Sequence, residues 1–171
     1  MPPLLIRPLT ATDAPRYRDI RLEGLKLNPE AFSSTFAHEN ALGLDWFAER
    51  ITRGNIFGGF LGDDLVGVAD YRPQEGTKVR HKAGFWGMYV SARARNLGLG
   101  QRLIEAIVDH ATGRVEQLQL SVASDNEAAI RLYRKMGFAE YGREMKALKV
   151  DGRYSDEILM VRFLARDGET R

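Results

Sequence analysis

The stretch Gly87-Met-Tyr-Val-Ser-Ala-Arg-Ala-Arg-Asn-Leu-Gly-Leu-Gly-Gln-Arg102 constrains this chain more than any other. A run of apolar and aromatic residues leads into a short segment carrying Gly98 and Gly100. An amphipathic run follows, with Leu99, Leu103, Ile104, Ile107 and Val108 on one stripe. This is a strand feeding a helix through a glycine turn. Such a turn gathers orphan backbone N–H groups at the positive end of a helix dipole, where they bind phosphate. The predicted grip is Arg95, Asn96, Leu97, Gly98, Leu99, Gly100 and Gln101. On spacing alone, a purely structural turn explains the segment equally well. Two other phosphate motifs fail here. Gly100 precedes Gln101-Arg102 rather than Lys-Ser/Thr, and Leu103 stands where a dinucleotide fingerprint needs a small residue.

The rest of the chain supplies the other elements. Leu4–Pro8 reads as a strand, and Thr12 or Asp13 caps a helix that Asn28-Pro29 stops. A broken helical region covers Glu30–Arg53, with Asp45 as an internal N-cap. Strands follow at Asn55–Leu61 and Leu65–Arg72, joined by Gly62-Asp63-Asp64. The strand His81–Val90 reads as buried on both faces. After the helix Gly98–Thr112 come a strand at Gln117–Val122 and a helix from Asp125 or Asn126 to Met136. Phe138–Val150 and Arg153–Leu164 form a hairpin about Asp151-Gly152, a type I′ turn signal. This order predicts an α/β (α+β) fold, a mixed sheet with helices on both faces. Residues 1–165 read as one domain and 166–171 as a polar tail.

Composition narrows the chemistry. The chain has 171 residues, 44% of them hydrophobic and 28% charged, enough for one domain with a real core. It contains no Cys, which excludes thiolate nucleophiles, disulfides and Cys-based zinc sites. Its three His are scattered without metal-ligand spacing, so no metal is expected. A net charge of +2 gives no ground for a nucleic-acid partner. No window has the length of a membrane span and no signal peptide is recognisable, so the expected location is cytoplasmic, without a membrane partner.

A second constellation runs from Asn126 to Phe138: Asn-Glu-Ala-Ala-Ile-Arg-Leu-Tyr-Arg-Lys-Met-Gly-Phe. Asn126 and Tyr133 fall two turns apart on one helix face. Each has a plain structural explanation, a helix cap for Asn126 and packing for Tyr133.

The two constellations together resemble the GNAT superfamily of acetyl-CoA-dependent N-acetyltransferases. Arg95-Asn-Leu-Gly98-Leu-Gly100 is similar to its acyl-CoA pyrophosphate loop. Asn126, Ala129, Leu132, Tyr133, Gly137 and Phe138 match its second signature. The resemblance covers about Leu4 to Leu164. It implies a mostly antiparallel central sheet splayed into a V, with acetyl-CoA as co-substrate. The acceptor would be a primary amine of a small molecule or a protein, and a homodimer is left open. Backbone N–H groups of Arg95 to Gln101 would hold the pyrophosphate. The main chain of Met88, Tyr89 and Val90 would pair with the pantetheine arm. Asn126 would touch that arm, the Val90 N–H would serve the oxyanion, and Tyr133 would be the general acid. Arg131, Arg134 and Lys135 would meet the 3′-phosphate or form a solvated helix face.

Many relatives carry a Glu on the strand before the loop. Here Ala83-Gly-Phe-Trp-Gly-Met-Tyr-Val90 has no carboxylate. Glu39 is a candidate base, with an exposed helix carboxylate as the other reading. Phe32, Trp86, Tyr154 and Asp156 are acceptor-side candidates, the last suited to a cationic acceptor. The missing carboxylate also keeps a non-catalytic acyl-CoA-binding domain in view.

Overall fold

Seven strands form one sheet in the order β1-β2-β3-β4-β5-β7-β6. They are β1 (Leu4–Pro8), β2 (Asn55–Leu61), β3 (Asp64–Pro73), β4 (Lys82–Val90), β5 (Gln117–Ala123), β6 (Ala139–Val150) and β7 (Arg153–Phe163). The helices are α1 (Ala14–Leu27), α2 (Phe36–Asn40), α3 (Leu44–Arg53), α4 (Leu99–Ala111) and α5 (Glu127–Lys135). This computed structural model describes residues 2–165, so the tail expected at 166–171 lies outside the described residues.

Every neighbouring pair in the sheet is antiparallel except β4 and β5. That parallel pair holds only at Lys82–Gln117, Ala83–Leu118 and Gly84–Gln119. Beyond Gly84 the two strands part, while β5 stays paired with β7 through Ala123. The result is the V expected for the sheet.

Two cores cover the two faces. Leu99, Leu103, Ile104 and Ile107 of α4 and Ile130 and Tyr133 of α5 pack on one face. Tyr17 and Ile20 of α1 and Phe47 and Ile51 of α3 pack on the other. Space for α4 comes from Gly59 and Gly67, where a Cβ would lie 2.3 and 2.7 Å from the Leu99 side chain. Larger residues there would lift the helix start, and the loop before it, off the sheet.

Local differences from the sequence expectations have physical causes. Asp45 lies in the first turn of α3, and Gly43 is its N-cap. The helix expected from Thr12 or Asp13 begins with a 3-10 turn capped by Thr10, where Asp13 accepts the Thr10 N–H at 2.9 Å. β4 is not buried on both faces: Ala83, Phe85 and Tyr89 are buried but Trp86 is 51% exposed. The departure of β5 opens one side of that strand. The hairpin at Asp151-Gly152 has positive φ at both residues, as a type I′ turn requires.

Candidate active site

The glycine turn presents a row of free donors. After β4 a 3-10 turn spans Ala92–Ala94, and Asn96 and Gly98 then take positive φ, 62° and 74°. Gly98 is the N-cap of α4, a left-handed position that suits glycine. The Ala94 and Arg95 N–H groups bond to the Ser91 and Ala92 carbonyls, and the Arg102 N–H bonds to Gly98. The N–H groups of Asn96 to Gln101 between them find no partner among the described residues. A Cβ at Gly100 would stand 3.1 Å from both Leu132 and Met88, so the loop is closely backed by α5 and β4.

β4 exposes its main chain where it leaves β5. Asp70 of β3 faces Trp86 and Val68 faces Tyr89, so Gly87 and Met88 together oppose Ala69 in a bulge. Gly87 has φ +59°, which a bulge of this kind requires. Ser91 donates its N–H to the Val66 carbonyl at 2.9 Å. Antiparallel alternation then turns the Val90 N–H away from β3, toward the gap. The Val90 carbonyl on that side accepts from Arg95 Nε at 3.4 Å. Glu23 of α1 braces this segment, accepting Tyr89 Oη at 2.9 Å and Ser91 Oγ at 2.7 Å. Burial and the Glu23 carboxylate push the Tyr89 phenol up to about 12.

On the facing wall, Asn126 caps α5 through a bond from the Ala129 N–H at 3.3 Å. It also lines the cavity, so the cap and the lining position coincide. Tyr133 is 7% exposed, edge-on to Phe85 and Phe138, and lines the same cavity. Burial raises its phenol well above the ordinary value. Arg131 and Arg134 pair with Glu127 and Glu140 on the solvated side of α5.

The cavity between the arms has a volume of about 910 Å³. Met88, Phe32, Trp86 and Glu39 line it; Tyr89, Val90, Tyr154 and Asp156 do not. Glu39 is 1% exposed rather than an exposed helix carboxylate. Its two oxygens accept Arg21 Nε and Nη2 at 2.9 and 2.8 Å. Burial opposes its ionisation, but Arg21, helped by Ser34, holds it below the usual carboxylate range. Asp156 accepts Arg143 at 2.9 Å and the Lys146 N–H at 2.8 Å, tying down the bulge of β6. Lys146 and Lys149 lie against the Tyr154 ring.

A family model described as the acetyltransferase (GNAT) family matches residues 21–138, which include the glycine turn, β4, β5 and α5. The chain belongs to the GNAT family. The family's acyl donor is acetyl-CoA. Among curated relatives, the L-amino acid N-acetyltransferase AaaT of Escherichia coli is 32% identical over 58% of this chain and 62% of its own. The N-alpha-acetyltransferase RimI of Mycobacterium tuberculosis is 40% identical over 32% of this chain and 34% of its own. Both matches span less than two thirds of those relatives' lengths. The crystal structure of a GNAT-family acetyltransferase from Streptococcus pneumoniae superposes with a TM-score of 0.84. It covers 95% of this chain and 100% of that one at 24% identity, a likeness of fold.

Within this GNAT cleft, sequence reasoning missed Arg50, Glu144 and Glu157, all of which line the cavity. Glu144 and Glu157 face each other across β6 and β7, and neither has an ion pair among the described residues. Glu157 carries a signal that was readable only in part. It neighbours Asp156, and along a strand adjacent side chains point to opposite faces.

Proposed function

We propose that this chain is an N-acetyltransferase moving an acetyl group from acetyl-CoA to a primary amine by direct attack in a ternary complex. The observation that carries the reading is a convergence beside the cavity: the glycine turn does not line it, but Gly100 backs onto Leu132 and Met88, which do. A row of partnerless N–H groups from Asn96 to Gln101 adjoins a strand edge that has lost its neighbour, and Tyr133 lies across from it. The donors suit a pyrophosphate, and the free edge of Met88–Val90 suits an extended amide-bearing arm. With no Cys in the chain, no cysteinyl acyl-enzyme can relay the acyl group.

Bound acetyl-CoA supplies a carbonyl carbon activated as a thioester. The Val90 N–H meets the carbonyl oxygen as negative charge grows there. Tyr133 donates its proton to the departing sulfur, and Asn126 orients the arm at the mouth of α5. Burial that raises the phenol also raises a thiol held beside it, so the transfer is not opposed. Glu39 is spent on Arg21, and we assign it to holding the acceptor wall in place. Glu144 and Glu157 attract the acceptor's ammonium, whose proton leaves through the open cleft.

The test is equilibrium binding followed by turnover. Acetyl-CoA is expected to raise the melting temperature where ATP and NAD do not, and thiol release is expected with amines. A shift with ATP or NAD but none with acetyl-CoA contradicts the loop assignment. Tight acetyl-CoA binding with no turnover on any amine contradicts the catalytic reading and leaves the non-catalytic one.

A further inference from the structure

Three arginines line the cavity, and two are already used. Arg21 is held by Glu39, and Arg72 binds Asp70 at 2.9 Å. Arg50 differs. It forms no ion pair among the described residues, and its Nε is buried without a hydrogen-bond partner there. The charges of Asp70 and Glu39 are near enough to interact with it, but Asp70 accepts hydrogen bonds from Arg72 and the Asn55 N–H, and Glu39 bonds with Arg21 and Ser34. The guanidinium lies against the Trp46 ring, 5.3 Å from its centre, and the last turn of α3 carries it. The buried Nε is closed to a ligand, but the guanidinium lines the cavity and no side-chain hydrogen bond occupies its Nη groups among the described residues, so that end of the fork is left for a carboxylate. Glu144 and Glu157 supply a separate negative pole on the β6–β7 side of the same cavity. Like charges placed directly opposite repel, and a cation between them relieves the cost.

We propose that Arg50 anchors a carboxylate of the acceptor while its amine lies toward Glu144 and Glu157. The acceptor is therefore of the amino-acid class rather than a polyamine or the N-terminus of a protein. A polyamine has no anion for Arg50, and a peptide N-terminus has an amide where an amino acid has its carboxylate. The inference rests on the acetyl-transfer reading for the fate of the amine, but the anion site can be tested without turnover.

The experiment titrates CoA-saturated protein with L-amino acids and with their primary amides, calorimetrically, and assays the same panel for acetylation. At least one free acid is expected to bind more tightly than its amide. Arg50→Gln is expected to weaken that acid by about 10- to 100-fold, the loss of charge-assisted hydrogen bonds, while leaving the amide unchanged. Arg50→Lys should restore part of the preference, because it keeps the charge and loses the fork. CoA affinity should be unchanged in both variants, which reports an intact fold. Equal binding of acids and amides, no binding of any acid, or an acid preference that survives Arg50→Gln overturns the proposal. Arg50-dependent binding with no acetylation supports the anion site and counts against acetyl transfer instead.

Discussion

Arg21 and Glu39 bind each other through two parallel hydrogen bonds, at 2.9 and 2.8 Å, within the wall of the cavity. Both side chains are almost wholly buried. Removing one partner leaves the other as an uncompensated buried charge. Glu39→Ala is therefore expected to cost about 3–5 kcal/mol in stability. Chemical denaturation of the variant checks this. Glu39→Gln is expected to lower stability while kcat stays within about threefold, since a positioning group is not consumed in proton transfer. A large loss of kcat at unchanged stability would return Glu39 to the role of base.

Gly100 belongs to the free N–H row, and a Cβ there would meet the side chains of Leu132 and Met88. In the proposed reading a carboxylate there would sit next to the N–H row that holds the pyrophosphate. Gly100→Asp is expected to raise the Kd for acetyl-CoA by about 10- to 100-fold, from like-charge repulsion at short range. Gly100→Ala should cost far less, because the atoms it meets are the ends of flexible side chains. Titration of both variants separates charge from crowding. Equal losses would place the pyrophosphate elsewhere.

Asp156 and Glu157 are adjacent in sequence but differ in task. Asp156 fastens the β6 bulge through Arg143 and the Lys146 N–H, whereas Glu157 lines the cavity. Glu157→Gln is expected to raise the KM for the amine about tenfold, the worth of one charge-assisted contact. Asp156→Asn should leave that KM within about twofold. Steady-state kinetics with the amine varied at saturating acetyl-CoA decide between them. The reverse pattern would shift the register of the hairpin by one residue.

That pair shows where the sequence was legible and where it was not. Period-2 and period-3.6 patterns, with glycine and Asp-Gly turns, revealed the strands, helices and mixed sheet. They could not reveal which face each β7 residue takes. That depends on the register of β7 against β5, where Glu157 opposes Ala123, a pairing between segments distant in sequence. Trp86 was ambiguous for a different reason, since the Gly87 bulge resets the alternation of β4. Glu39 looked like an exposed helix carboxylate because its partner, Arg21, lies on another helix. Arg50 resembled any arginine in the last turn of an amphipathic helix. Only the fold shows that its Nε is buried without a partner among the described residues.

Burial keeps Tyr133 protonated above the pH at which an ordinary tyrosine ionises. An acid with a raised pKa stays competent to higher pH, while the acceptor's ammonium becomes a nucleophile only as pH rises. The profile of kcat/KM is therefore expected to climb and show no falling limb up to about pH 10, the ordinary tyrosine value. A falling limb near pH 9 that disappears in Tyr133→Phe would contradict the raised phenol.

Mass spectrometry of amines incubated with the protein and acetyl-CoA tests acetyl transfer most directly, with Tyr133→Phe run in parallel. The expected result is an amine heavier by one acetyl group, formed in step with free CoA. In Tyr133→Phe the rate should fall by about 10²- to 10⁴-fold at nearly unchanged acetyl-CoA affinity. No acetylated product from any amine, or full activity in Tyr133→Phe, would contradict it.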